Sequence, residues 1–168
     1  MRIMSLSAFT LAIIGFSGMT CHAQTVSFEA RNESGFFIRH QNAVGRISQI
    51  NSPLDAKDAT FRIVQGGLAN RGGDSVSFES VNFPGFFLRH KNSKIVLERG
   101  DNTAQFAQDA TFVKSLGLDG AGVSFEAVNF PGFFIRHKNF VLELNENDGS
   151  ALFRRDASYV QEAPRAPQ

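Results

Sequence analysis

The sequence predicts an all-β domain built from three pseudo-symmetric repeats. Three observations lead to this prediction. The segment Gly-Phe-Phe-[Ile/Leu]-Arg-His occurs at 35–40, 85–90 and 132–137, apolar and polar residues alternate around it, and no window keeps a helical apolar periodicity. The repeats therefore span about 26–75, 76–122 and 123–161.

Each repeat is predicted to consist of short strands in the same order. The first is Val-Ser-Phe-Glu-[Ala/Ser], at 26–30, 76–80 and 123–127, whose apolar residues alternate with polar ones. A glycine turn, the Gly-Phe-Phe strand, an apolar stretch and a polar break follow; in the third copy Asp148-Gly149 predicts a hairpin turn within that break. A strand that starts at Asp58, Asp109 or Asp156 is predicted to close each unit.

Three units of about four strands fit few architectures. A propeller needs about four blades or more, and a parallel β-helix uses shorter coils. A closed barrel with hairpin caps, the β-trefoil, fits the count, and closure removes exposed sheet edges. The phenylalanines near the repeat starts are then expected to converge on one core.

The N-terminus has the features of an export signal. Arg2 precedes an apolar run from Leu6 to Phe16, and small residues lead to Ala23. We expect a signal peptide over 1–23, cleaved after Ala23, and a secreted or periplasmic protein. The domain is expected over 24–161, followed by a flexible tail at 162–168.

The charge balance limits the classes of partner. Removing Arg2 from the 17 basic residues leaves 16, which match the 16 acidic residues. A neutral chain of mixed charge argues against a nucleic-acid or anionic-membrane partner, because either favours a basic patch. We expect a monomer that binds neither.

A histidine ends each Gly-Phe-Phe strand, and an aspartate follows it 18 or 19 residues later. A carboxylate can accept from vicinal hydroxyls, and an imidazole can donate and accept, so such a pair suits a sugar. A phenylalanine ring can cover the sugar's C–H face. The candidate sugar-binding pairs are His40 with Asp58, His90 with Asp109, and His137 with Asp156, and the candidate stacking residues are Phe36, Phe86 and Phe133.

Threefold repetition alone does not separate a site from a scaffold, because a turn or packing residue also recurs three times. The other recurring polar residues are interpreted as structural. Arg39, Arg89 and Arg136 are expected to tie neighbouring repeats together, Glu29, Glu79 and Glu126 to face solvent, and Asn42, Asn92 and Asn139 to form turns.

No segment is singled out for catalysis. Glycoside hydrolysis in most families uses two carboxylates about 5–10 Å apart, whereas the polar pairs here come in threes, which suits multivalent binding. We therefore expect no catalytic residues and no cofactor. The repeated histidines lack partners at ligand spacing, so no metal site is predicted.

Four stretches resemble a known family. The runs 76–90 and 108–112, together with 139–143 and 147–153, are similar to the arabinose-binding domain of arabinofuranosidase B, the family-42 carbohydrate-binding module. The resemblance implies a β-trefoil that binds arabinofuranosyl side chains of arabinoxylan or arabinan, with up to one pocket per repeat formed by the His–Asp pairs. It also implies a glycoside hydrolase as a partner, because the family's domain is usually appended to one.

The chain departs from the family at two places. Phenylalanines stand at 86–87 and 133–134 where the family often has tyrosine, and Asn32-Glu33-Ser34-Gly35 replaces Asn-Phe-Pro-Gly. The first copy is therefore expected to have the most divergent pocket. Two alternatives stay open: arabinofuranosidase activity, or a role as accessory subunit of such an enzyme, and a structural or protein-binding trefoil.

Overall fold

The computed structural model describes residues 24–167, so the predicted signal peptide lies outside the described residues. The first repeat contains β1 (Thr25–Ala30), β2 (Phe37–Gln41), β3 (Val44–Ser48), α1 (Pro53–Asp58) and β4 (Phe61–Gln65). The second contains β5 (Ser75–Ser80), β6 (Phe86–Lys91), β7 (Lys94–Arg99), α2 (Ala104–Asp109) and β8 (Phe112–Leu116). The third contains β9 (Val123–Ala127), β10 (Phe133–Lys138), β11 (Val141–Glu146), α3 (Ala151–Asp156) and β12 (Tyr159–Glu162).

The strands form a closed antiparallel barrel with a three-hairpin cap. The barrel is a ring of six strands in the order β1, β4, β5, β8, β9, β12, and β12 pairs with β1 to close it. The hairpins β2–β3, β6–β7 and β10–β11 meet through their second strands, which pair with one another. This is a β-trefoil, so the predicted fold class is confirmed.

Three phenylalanines at the same position of β1, β5 and β9 meet on the barrel axis. The ring centroids of Phe28, Phe78 and Phe125 lie 4.9–5.6 Å apart, with interplanar angles of 82–89°. Edge-to-face pairs of this kind contribute about 0.5–1.5 kcal/mol each beyond their burial. The convergence expected from the repeat starts is therefore present.

A short helix precedes each closing strand, which the sequence analysis did not predict. Asp58, Asp109 and Asp156 end these helices instead of opening a strand, and the strands begin at Phe61, Phe112 and Tyr159. Ser52, Thr103 and Ser150 cap the helices by accepting a backbone N–H three residues on. Asp148-Gly149 accordingly leads into the α3 cap and not into a hairpin turn.

The turn between the first two strands of each repeat is braced by a strand glutamate. The N–H groups of Gly35, Gly85 and Gly132 donate to the glutamate six residues earlier over 2.5–2.8 Å. These glycines have φ of +81° to +87°, a conformation that favours glycine. Glu29, Glu79 and Glu126 are thus turn braces and not the solvent-facing residues expected. Asn42, Asn92 and Asn139 do form turns, with φ of 50–52°.

The segment after β12, predicted to be flexible, makes specific contacts with the barrel. The backbone N–H of Arg165 donates to Ser27 Oγ over 3.0 Å, and that of Ala166 donates to Thr60 Oγ1 over 2.9 Å. The two connections between repeats make equivalent hydrogen bonds. In the first connection the backbone N–H groups of residues 68–69 donate to the hydroxyl oxygens of Ser77 and Thr111, and in the second those of residues 118–119 donate to Ser124 and Ser158. The C-terminal segment therefore takes the place of a third connection. No helix within 24–167 has the length and apolar character needed to cross a membrane.

Candidate functional site

Three clefts on the barrel side contain the predicted His–Asp pairs. We call them the first pocket (His40 and Asp58), the second pocket (His90 and Asp109) and the third pocket (His137 and Asp156). Their volumes are about 420, 400 and 360 Å³. In each, the histidine is the last residue but one of the second strand of the repeat, and the aspartate ends the short helix, so the hairpin returns the chain to bring them together.

The histidine and the aspartate are close but not directly hydrogen-bonded. Their Nε2 and Oδ1 atoms are separated by 3.7, 3.4 and 3.7 Å in the three pockets, and both side chains are almost completely buried. An asparagine from the next repeat joins them. Its Oδ1 lies 2.8–3.2 Å from the histidine Nε2, and its Nδ2 donates to the aspartate Oδ1 over 2.7–2.8 Å; these residues are Asn82, Asn129 and Asn32.

The asparagine determines which imidazole nitrogen carries the proton. Because its Nδ2 group donates to a carboxylate, its Oδ1 must be the acceptor, and the histidine Nε2 must donate to it. Burial lowers the pKa of His40 and His137, although the charges of Asp58 and Asp156 act in the opposite direction. These imidazoles are therefore neutral near pH 7, with the hydrogen on Nε2.

Each pocket is formed by two repeats, which the sequence analysis did not predict. The hairpin and helix come from one repeat, and the asparagine turn comes from the following one. Asn32-Glu33-Ser34-Gly35 consequently lies at the third pocket, together with His137, and not at the first. The divergent turn thus belongs to the third pocket, and the expectation that the first copy has the most divergent pocket is wrong.

The repeated arginines hold the aspartates within their own repeats. Arg39, Arg89 and Arg136 donate through Nη2 to the aspartate Oδ2 over 3.0, 2.6 and 2.6 Å. The prediction that they tie neighbouring repeats is therefore wrong. The remaining contacts differ: Arg39 also pairs with Asp55 at 2.6 Å, whereas Arg89 and Arg136 lie over the rings of Phe106 and Phe153, 5.1 and 5.2 Å from the centroids.

Aromatic rings wall the first two pockets. Phe83 lies 5.5 Å from the imidazole of His40 and 5.9 Å from Phe86, and Phe130 lies 5.3 Å from His90 and 5.9 Å from Phe133, all between ring centroids. Phe83 and Phe130 are each 47% exposed, so their faces are open to a ligand.

The predicted stacking residues have three different placements. Phe86 lines the first pocket and Phe133 the second, each beside the histidine of the preceding repeat. Phe36 packs on Phe140, at 5.3 Å and 27°, and Phe140 lines the third pocket. Phe83, Phe130 and the bridging asparagines were missed as site residues, although their Asn-Phe-Pro-Gly turn was visible in the sequence, because that turn was interpreted as scaffold.

The arrangement presents hydroxyl-binding groups next to an apolar wall. A buried carboxylate oxygen and an imidazole face the cleft, and an exposed ring stands beside them. In the part of the chain that the structure describes, no three histidine, cysteine, aspartate or glutamate side chains are grouped to hold a metal ion.

Comparisons with known proteins agree on one family. The family model of the alpha-L-arabinofuranosidase B (ABFB) domain matches residues 16–66 and 42–160. A GH54 α-L-arabinofuranosidase soaked with a cyclic sulfate inhibitor is 29% identical, with a TM-score of 0.79 over 86% of this chain and 32% of that one. An arabinofuranosidase in complex with arabinofuranosyl-α-1,2-xylobiose is 28% identical, with the same TM-score and coverages. The chain thus spans about a third of the length of these enzymes.

More distant structures share the fold alone. The BEL β-trefoil is 14% identical, with a TM-score of 0.62 over 89% of this chain and 99% of that one. No curated protein matched the sequence. The family model covers most of the described residues, and two arabinofuranosidase structures superpose over nearly the whole barrel. The chain belongs to the alpha-L-arabinofuranosidase B (ABFB) domain family of carbohydrate-binding domains.

Proposed function

We propose that this chain is an exported, non-catalytic carbohydrate-binding module that recognises the arabinofuranosyl side chains of arabinoxylan or arabinan. One observation carries the proposal: a buried His–Asp pair bridged by an asparagine recurs three times, each time in a cleft. In two clefts it stands beside an exposed phenylalanine ring, Phe83 or Phe130.

The polar groups and the ring have complementary tasks. The aspartate accepts hydrogen bonds from sugar hydroxyls, which are of the stronger, charge-assisted kind. Arg39 holds Asp58 in place from the side away from Asn82, so the carboxylate does not need to be ordered when the ligand arrives. The ring of Phe83 offers a face for the sugar's C–H groups, and its neighbour Phe86 supports it.

The family supplies the ligand class. The arabinofuranosidase of 28% identity was solved with arabinofuranosyl-α-1,2-xylobiose, a xylan fragment bearing one arabinofuranosyl group. Clefts of about 400 Å³ are small and suit a single sugar residue at the end of a side chain. Several linked weak sites raise avidity for a polysaccharide that carries many such groups.

Binding without hydrolysis fits the carboxylates in the pockets. Most glycosidases use one carboxylic acid and one carboxylate across the scissile bond. Asp109 is the one carboxylate among the residues that line the second pocket, and in the first pocket Asp55 and Asp58 both pair with Arg39. The third pocket is lined by two carboxylates, Glu33 and Asp156, of which Asp156 pairs with Arg136. We propose that a glycoside hydrolase acts as the partner and performs the chemistry.

The test compares polysaccharides that differ in the side chain alone. Purified protein is expected to bind arabinoxylan and arabinan but not unsubstituted xylan, and to release no arabinose from a chromogenic arabinofuranoside. The double variant Phe83→Ala, Phe130→Ala is expected to lose most of the binding at unchanged melting temperature, because both rings are half exposed. Leu116→Ala, at a 70% exposed apolar residue outside the pockets, is the matched control.

The outcomes separate the alternatives. Equal binding to bare xylan, or full binding by the double variant, would refute the proposal. Release of arabinose would establish the enzymatic alternative. If the unmodified protein binds no sugar and the double variant loses much of its stability, the result would support a structural trefoil, in which the His–Asn–Asp arrangement only joins neighbouring repeats.

A further inference from the structure

We infer that the three pockets are unequal and that the first is the principal sugar site, because Gln105 obstructs the second and Glu33 replaces the ring wall of the third. The inference rests on the proposed function, and it assigns selectivity to two residues outside the His–Asp pairs. It also reverses the order that the repeat sequences suggest.

The first step concerns the hydrogen-bonding capacity of the aspartates. Each Oδ2 accepts from an arginine, so the acceptor compared between the pockets is Oδ1, the oxygen beside the imidazole Nε2, which has two lone pairs. Within residues 24–167, Oδ1 of Asp58 accepts one hydrogen bond, from Asn82, and Oδ1 of Asp156 accepts one, from Asn32. One lone pair of each atom therefore remains for a sugar hydroxyl.

At the second pocket, Oδ1 of the aspartate has no such vacancy. Oδ1 of Asp109 accepts from Asn129 Nδ2 over 2.8 Å and from Gln105 Nε2, also over 2.8 Å. Gln105 is the second residue of α2 and lines this pocket. A sugar hydroxyl must displace its amide before it reaches Oδ1, so the amide competes with the sugar for this oxygen.

The other two helices carry leucine at this position. Leu54 and Leu152 are 60% and 57% exposed and line the first and third pockets. A leucine cannot bond to the carboxylate, and it extends the apolar rim instead.

The third pocket has a free acceptor but a different wall. Glu33 occupies the turn position that holds Phe83 at the first pocket and Phe130 at the second, and it lines the third pocket. A carboxylate there is hydrated and presents no flat apolar face to the sugar's C–H groups. Desolvating it on binding is unfavourable.

Phe140 lines the third pocket but does not stand in the place of the missing ring. It occupies the turn position of Ala43 and Ser93, and one face of its ring is covered by Phe36. Its bulk also agrees with the smaller volume of the third pocket, about 360 Å³ against 420 Å³ for the first. Among the three described pockets, the first combines a free Oδ1 acceptor with a phenylalanine ring that packs beside its own histidine.

The experiment measures binding at each pocket separately. Protein without the predicted signal peptide, which contains His22, gives one ¹³C-histidine imidazole signal per pocket, and the variants His40→Gln, His90→Gln and His137→Gln assign the three signals. Titration with methyl α-L-arabinofuranoside is expected to saturate the His40 signal at the lowest concentration, with an apparent Kd roughly 3- to 10-fold below those at His90 and His137. Equal constants, or earlier saturation of either other signal, would overturn the inference but leave the proposed function standing. Absence of any shift would refute both.

Two exchanges test the cause. Gln105→Leu, which copies Leu54, is expected to tighten binding at His90 roughly 3- to 10-fold without affecting His40. Weaker binding would overturn the competitor role and make Gln105 a ligand contact.

Glu33→Phe is expected to tighten binding at His137, whereas Glu33→Gln, which removes the charge but adds no ring, is expected to recover less. Equal recovery by both variants would overturn the ring-wall explanation. Gln105 is exposed and Glu33 is partly exposed, so folding is preserved.

Discussion

Deletion of residues 163–168 is expected to destabilise the barrel substantially, although the deleted segment contains no strand residue. The deletion removes the N–H donors of Arg165 and Ala166 to Ser27 and Thr60, each bond being worth about 1 kcal/mol. It also removes the Arg165 guanidinium from the face of Phe37, 4.2 Å from the ring centroid, worth about 0.5–1 kcal/mol. Uncovering Phe37, which is 5% exposed, adds a similar amount.

The expected loss is therefore about 3 kcal/mol, or about 10 °C in melting temperature for a domain of this size. Urea unfolding followed by circular dichroism and a thermal scan measure it. Deletion of 167–168 alone is the control and is expected to change the melting temperature by no more than about 1 °C. Arg165→Ala keeps the backbone donors and is expected to cost about 0.5–1 kcal/mol. A melting temperature unchanged by the longer deletion would refute the role of the segment as a third connection.

Three further predictions concern pH, the asparagine bridge and a turn glycine. Burial lowers the pKa of His40 and His137 in the folded state, so the unfolded chain binds more protons than the folded one. The free energy of unfolding is therefore expected to fall as the pH drops through about 6.5. A urea midpoint that does not change between pH 7.5 and 5.5 would contradict this. Asn129→Ala leaves His90 without its acceptor and removes one of the three donors to Asp109, so we expect sugar binding at the second pocket to weaken about tenfold. Unchanged affinity in the histidine titration would count against the bridge. Gly85→Ala places a side chain at φ of +82°, so a loss of about 1–2 kcal/mol is expected in urea unfolding, and no loss would show that the turn relaxes.

The sequence predicted the barrel because repetition and strand alternation are local signals. The repeat count selected the trefoil, and the alternating Phe28 placed the core. The helices were missed because six residues are too few to show a helical apolar period, and the polar break before each closing strand was not interpreted as a helix cap.

The sequence predicted the His–Asp pair of each pocket but not the asparagine turn, for a similar reason. His40 and Asp58 lie in one repeat, and a hairpin brings them together, so their spacing indicated a pair. Asn32 and His137 are 105 residues apart, and only closure of the barrel makes them neighbours. The sequence of a single repeat does not show which repeat supplies the asparagine turn that completes its pocket.

Sharing each pocket between neighbours makes the number of sites depend on ring closure. In an open row of repeats, the last unit has no following turn, so two joined repeats contain one complete pocket and three unclosed repeats contain two. The third pocket comes into being when β12 pairs with β1 and brings the turn at Asn32 to His137. A circular permutant that joins the chain ends and opens the connection at 66–73 is therefore expected to keep all three pockets, because the ring, and not the order of the repeats along the chain, creates them.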